Sequence, residues 1–353
     1  MFEASKNHQT VFFSNKPRII SNFSMVGPIE GKGALKDYFD YILKKDTFKE
    51  KSFELAERKL LEHIIWGAID KANLKVDDID AMLSGDLLNQ IVSSSFTARK
   101  LGITFIGLYS ACATMAESLA LGACLVDRKV FNNVVCATAS HFSSAERQYR
   151  FPLELGNQRP PTSQWTVTGG GASILSSTSN GGDPFVSSAT FGKVVDFGIK
   201  DVNNMGAAMA PAAMDTIMTH LEATHTTVDD YDMIATGDLG KLGSEILTDL
   251  LERKDIKLKQ NYSDCGNLIY TKQGKTFMGG SGSGCSASVF NSYIMSKLRS
   301  GEFKKVLLVA TGALLSTTTS QQGDSIPGIA HAVTIESDCQ KQNSKNGQDN
   351  PKM

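Results

Sequence analysis

VDDIDAMLSGDL, Val76 to Leu87, returns as VDDYDMIATGDL, Val228 to Leu239. Val, three Asp, Gly, Asp and Leu coincide in register. Each copy has an acidic loop, a short apolar strand and a Gly-Asp turn. A second pair follows in the same order. Ser110-Ala111-Cys112 opens a helix-like run before the strand ending at Ala137-Thr138. Ser283-Gly284-Cys285 opens another before Ala310-Thr311, and both Cys-to-Ala spacings are 25 residues. A weaker third pair, Ala172–Leu175 and Ala332–Ile335, reads as the closing strand of each copy. Two matched pairs in one order argue for duplication. The halves are placed at residues 10–180 and 181–338.

Within each half, strands alternate with helices. Ser52–Ala72 reads as a helix with Leu60, Ile64, Gly67 and Ala68 on one stripe. Ile79–Ser84 and Asn133–Ala139 read as strands, and Thr114–Val126 as a helix. Ser244 is placed as the N-cap of a helix whose Ile246, Leu247, Leu250 and Leu251 face inward. Such alternation predicts an α/β fold: duplicated βαβαβ halves, largely parallel sheets and stacked α/β layers. His141–Gln164, with three Pro and three Arg, reads as a long excursion between strands.

Composition narrows the function classes. The chain has 353 residues, 36 Lys+Arg against 37 Asp+Glu, so no basic excess points to nucleic acid. No apolar run is long enough to span a bilayer. The start, MFEASKNHQTVFF, lacks the apolar core of a signal peptide. The six cysteines form no CxxC pair, so neither a zinc site nor a redox pair is expected, and the reducing cytosol suits such thiols. Residues 339–353 are nearly devoid of apolar side chains and are expected to be a disordered tail.

Cys112 follows an apolar strand, Ile103–Tyr109, and opens a helix. A helix N-terminus lowers a thiol pKa and attracts anions, so Cys112 reads as a nucleophile or as the floor of an anion pocket. The competing reading is a small buried residue. Cys285, in MGGSGSGCSAS, reads as tight packing where the halves meet rather than as a phosphate loop, since the Gly-Lys-Ser/Thr ending is missing. His141 and His331 lie near strand ends, where α/β proteins bind ligands. Arg147 and Arg150 suit bidentate carboxylate binding, or ordinary ion pairs with Glu146 or Glu154.

The strand–Cys–helix halves resemble the thiolase fold, whose nucleophilic cysteine matches Cys112. AERKLLE (56–62), SGDLLNQ (84–90), the SHxxxAERQYRFP pattern (140–152), MGAAMAPAA (205–213), SDCGNLIYT (263–271) and ATGALLS (310–316) resemble the stage V sporulation protein AD family. The resemblance covers about Gln9 to Glu336. It implies a thiolase-like fold without condensing activity and with no cofactor or metal. It implies binding of dipicolinic acid (pyridine-2,6-dicarboxylate), free or as its calcium chelate, for movement into and out of bacterial spores during sporulation and germination. It also implies a place at the spore inner membrane without spanning it, beside integral membrane proteins of the same operon. A condensing enzyme needs His or Asn partners for its cysteine. The matching positions, Thr236–Leu239 and Met278–Cys285, hold neither. His331 is the remaining candidate partner, which keeps a thiolase or ketoacyl-synthase type of condensing enzyme as the alternative. For the ligand, the candidates are Cys112, the Ala113 and Thr114 N–H groups, His141, Arg147 and His331.

Overall fold

The computed structural model describes residues 9–149, 159–179, 181–270 and 276–338. Arg150 and the tail 339–353 lie outside them. The first half runs β1 (Thr10–Phe12), β2 (Arg18–Val26), β3 (Tyr41–Ile42), α1 (Phe53–Lys71), β4 (Ala81–Gly85) and α2 (Val92–Leu101). It continues through β5 (Thr104–Gly107), α3 (Thr114–Asp127), β6 (Asn133–Ser140), α4 (Phe142–Tyr149), β7 (Trp165–Thr166) and β8 (Gly169–Ser176). The second half runs β9 (Phe185–Phe191), α5 (Met205–Thr224), β10 (Met233–Thr236), α6 (Gly240–Glu252), β11 (Tyr262–Asp264) and α7 (Cys265–Ile269). It ends with β12 (Gly280–Ser281), α8 (Ser283–Val289), α9 (Met295–Arg299), β13 (Lys305–Ala313), α10 (Thr317–Gln321) and β14 (Gly328–Glu336).

The strand order is β11-β10-β13-β14-β9-β2-β8-β6-β4-β5. It reads the same from either end: β5, β4, β6, β8 and β2 answer β11, β10, β13, β14 and β9. The two five-stranded halves meet at the Arg18–Phe185 pair of β2 and β9, and β1 reinforces the seam by pairing antiparallel with β9. Each sheet is mixed rather than largely parallel. The three outer strands of each half are parallel. The closing strands β8 and β14 run antiparallel to their neighbours. A parallel pair needs a crossover, and neither closing strand is reached by one across the sheet.

Alternation along the strands builds the layers. On β6, Val135, Ala137 and Ala139 face α1 and α2, while Val134 and Cys136 face α3. On β13, Leu307 and Val309 face α5 and α6, while Val306, Leu308 and Ala310 face inward. Helices α3 and α8 therefore lie between the sheets, each packed against strands of both halves. Burial of this many aliphatic side chains, each worth roughly 1.5–3 kcal/mol, fixes the register of both sheets.

Local signals mostly hold. Ser52 caps α1, its Oγ accepting from the Leu55 N–H at 3.2 Å. Ser244 does not cap α6: it lies inside the helix and donates back to Gly240 O at 2.6 Å. The cap is Asp264 on neighbouring β11, which accepts from the Leu239 and Gly240 N–H groups at 2.9 Å each. The excursion after His141 begins as helix α4, not as a loop, started by the Ser143 N–H on His141 Nδ1 at 3.1 Å.

Several carboxyls are fully buried. Glu57 accepts from Ser93 at 2.9 Å and from Ser144, and burial, with Asp86 adding repulsion, pushes it up to about 8. Burial also pushes Glu30 and Asp264 up to about 7. These groups hold a proton more tightly folded than unfolded. The stability they contribute is complete below about pH 4.5 and is lost as pH rises through 7 to 8. His220 and His331, lowered by burial to about 3 and about 4, act in the opposite sense and finish titrating by pH 6.5. Stability is therefore expected to fall between pH 6.5 and 8, read as a urea midpoint. Glu57→Gln should flatten that slope, and an unchanged slope would remove Glu57 as its source.

Candidate functional site

Cys112 sits in a single 3-10 turn, Ala111–Ala113, between β5 and α3. Ala111 is held at φ +49, a conformation that non-glycine residues adopt only when their surroundings impose it. The surroundings are specific. Ala113 N–H donates to Ser110 O at 2.9 Å, and Thr114 Oγ1 to Ala111 O at 2.6 Å. Gly312 of β13 lies beneath, where a Cβ would come within 2.4 Å of Ser110 O. His331 Nδ1 accepts from Gly192 N–H at 3.2 Å, so its Nε2–H donates to Ser110 Oγ at 3.1 Å. His331 thus braces the Cys112 turn as a neutral ring, with both ring nitrogens engaged by Ser110 and Gly192.

Asp238, which follows β10 in the other half, brings its carboxylate close enough to Cys112 for its charge to act on the thiol. Asp238 accepts from Thr311 Oγ1 at 2.8 Å, Gly282 N–H at 2.9 Å and Ser281 Oγ at 3.3 Å. Burial, then the Asp238 charge, pushes the Cys112 thiol well above its ordinary 9.0. Burial pushes Asp238 up to about 6. This reverses the expectation of a thiolate at the helix start. The Ala113 and Thr114 N–H groups are spent inside the turn, on Ser110 O and Ala111 O, so neither faces a ligand. Proton transfer from the thiol to Asp238 runs uphill, because it sets a thiolate beside groups that disfavour it. Cys285 lies in the first turn of α8, the counterpart of α3, with Sγ 3.4 Å from Gly237 O.

A cavity of about 60 Å³ opens against Cys112. Leu87, Ala145, Met205, Met209 and Leu315 make it apolar. Glu146, Tyr149, Thr166 and Ser281 add polar groups. Ordinary ligand pockets occupy roughly 300 Å³ or more, so a ligand larger than a few waters requires Tyr149 or the methionines to move. The Tyr149 hydroxyl donates to Leu87 O and holds the wall in place.

Of the residues singled out from sequence, Cys112 lines this cavity and His331 supports it from below. His141 and Arg147 are not among its lining. His141 is buried, its Nε2–H donating to Asp46 O at 3.1 Å and its ring set against Phe53. Arg147 is half exposed and paired with Glu54 at 3.1 Å, while Glu154 lies outside the described residues. The cation behind the cavity wall is Arg159. It pairs with Glu146 at 2.9 Å, donates to Gln164 O, and lies against the stacked rings of Phe142 and Trp165. Its buried Nε has no hydrogen-bond partner among the described residues. Asp238 stands in the repeated Gly-Asp turn, but nothing local ties that carboxylate to Cys112. Tyr149, Thr166, Met205 and Ser281 carry no local signal, since only the fold gathers them. Among the described residues, no group of three His, Cys, Asp or Glu is placed to hold a metal ion. No described helix is long and apolar enough to cross a membrane.

Solved structures of similar fold are condensing enzymes. OleA of Xanthomonas campestris superposes with a TM-score of 0.60 at 11% identity, over 92% of this chain and 99% of that one. The 3-oxoacyl-[acyl-carrier-protein] synthase III of Aquifex aeolicus VF5 gives 0.54 at 12%, over 91% and 99%. At such identity they show the thiolase-like fold alone. The family model for stage V sporulation protein AD matches residues 7–336. The stage V sporulation protein AD of Bacillus subtilis (strain 168) is 46% identical over 328 residues, 93% of this chain and 96% of that one. A match that spans both halves, the Cys112 turn and the Asp238 turn places this chain in the stage V sporulation protein AD family.

Proposed function

We propose that this chain binds dipicolinic acid, without turning it over, in the cavity against Cys112. In this role it serves the movement of dipicolinate into and out of spores at the spore inner membrane, beside integral membrane proteins. The observation that carries the non-catalytic reading is the setting of the thiol: Cys112 is buried, and the nearby buried Asp238 carboxylate adds a charge that disfavours the thiolate. A condensing enzyme needs the reverse, a base that takes the proton. The cavity persists while the nucleophile is silenced, which suits a binding protein built on an enzyme fold. The Thr166 hydroxyl can donate to one carboxylate of the ligand. Arg159, paired with the lining residue Glu146, is the proposed cation for the other, replacing Arg147 and His141 in that role.

Two measurements test this. Calorimetry with dipicolinate should give weak binding, Kd on the order of 0.05–1 mM, as about twelve heavy atoms at ~0.3–0.5 kcal/mol each imply. Incubation with acetyl- and malonyl-CoA should leave the intact mass unchanged. A Cys112-dependent acyl adduct that turns over would establish the condensing alternative instead.

A further inference from the structure

Two larger hollows lie on the outer face of the first half, about 590 and 630 Å³, and share Lys59 and His63. Seven cations line them: Lys44, Lys45, Lys49, Arg58, Lys59, Arg99 and Lys100. Only two carboxylates do, Glu50 and Glu62, and each is already paired, with Lys59 at 2.6 Å and Lys100 at 2.7 Å. The other five cations form no ion pair among the described residues. Arg58 and Arg99 instead flank the half-exposed Phe96 ring at 5.2 and 4.3 Å. On a chain whose net charge is −1, this is a concentrated positive field. Aromatic side chains surround it with exposed surface: Tyr41 at 47%, Trp66 at 45% and Phe96 at 36%. Trp66 lies one turn past His63 on the outward side of α1.

We infer that this face docks on an anionic phospholipid surface. Lysine and arginine near a bilayer are attracted by its negative potential, and amphipathic rings settle at headgroup level. An acidic peptide would satisfy the charges but leave Tyr41 and Trp66 without a role. The inference rests on the reading that the chain works at a membrane, and it adds which face meets the lipid. Asp46 and Glu54 border the face. Glu54 is engaged by Arg147, and one Asp46 carboxylate oxygen accepts from the Thr47 N–H.

The test is cosedimentation of the full chain with phosphatidylglycerol-containing vesicles and with pure phosphatidylcholine vesicles. Binding is expected only to the former, weakened by salt, with a blue shift in Trp66 emission. The second tryptophan, Trp165, is stacked on Phe142 and should report little. Lys44→Glu/Lys45→Glu/Arg99→Glu should lower partitioning about a hundredfold. Arg253→Glu/Lys254→Glu/Lys257→Glu, the same charge change on exposed residues near the end of α6, should not. No binding to anionic vesicles, equal loss in both variants, or capture of polyglutamate in place of vesicles would each overturn the inference. Dipicolinate calorimetry on the wild type reports separately on the ligand reading, so either can fail alone.

Discussion

Asp238→Ala is expected to lose about 3 kcal/mol of stability, the largest effect of any single change at the site. Asp238 is 1% exposed and accepts from the Gly282 N–H and from the Thr311 and Ser281 hydroxyls. Truncation strands these donors in the interior, at roughly 1–3 kcal/mol for each one left unmade. Relief from burying a charge offsets part of that. Asp238→Asn separates the two effects. It keeps an acceptor for Thr311 and removes the charge that opposes the thiolate. The Cys112 pKa should then fall, and iodoacetamide should label Cys112 about tenfold faster or more at a fixed mildly alkaline pH. Labelling of the Asp238→Asn variant at the wild-type rate would mean that burial alone silences the thiol.

The second large effect is expected at Cys112 itself. The side chain is 8% exposed and forms part of the cavity surface. Leucine there adds two heavy atoms into a space of about 60 Å³ already bounded by Leu87 and Ala145. Overpacking of this kind costs roughly 1–3 kcal/mol of stability, which a chain with this core tolerates. Dipicolinate binding should disappear. Cys112→Ser should keep the space and retain most of the affinity, because the ligand is proposed to use the cavity and not the sulfur.

Much of the architecture was legible because it is local and repeated. The VDD turns, the strands behind them and the two Cys-to-Ala spacings place equivalent elements in equivalent order. The helix read from Ser52 starts there because its cap lies within its own first turn, three residues from its partner. Ser244 misled because the true cap, Asp264, comes from another strand. The antiparallel closing strands were hidden for a related reason: direction depends on where the chain returns, and the strings at Ala172 and Ala332 carry only apolar pattern.

The site was legible at one residue. Cys112 stood out by its place before a helix, but its chemistry did not. The protonation state depends on Asp238, brought from the other half, and on N–H groups consumed by the turn. Arg147 and His141 follow the adjacent strand end in sequence, yet α4 carries Arg147 to Glu54 and buries His141 on Asp46 O. Arg159 reaches the cavity wall through Glu146.

Isothermal titration of dipicolinate into the wild type and the Cys112→Leu variant, each first shown to be folded by its thermal transition, tests the central claim most directly. The account predicts saturable heat from the wild type, with Kd on the order of 0.05–1 mM, and none beyond dilution from the variant. Equal affinity in the two proteins, or no heat from the wild type at millimolar ligand, would contradict it.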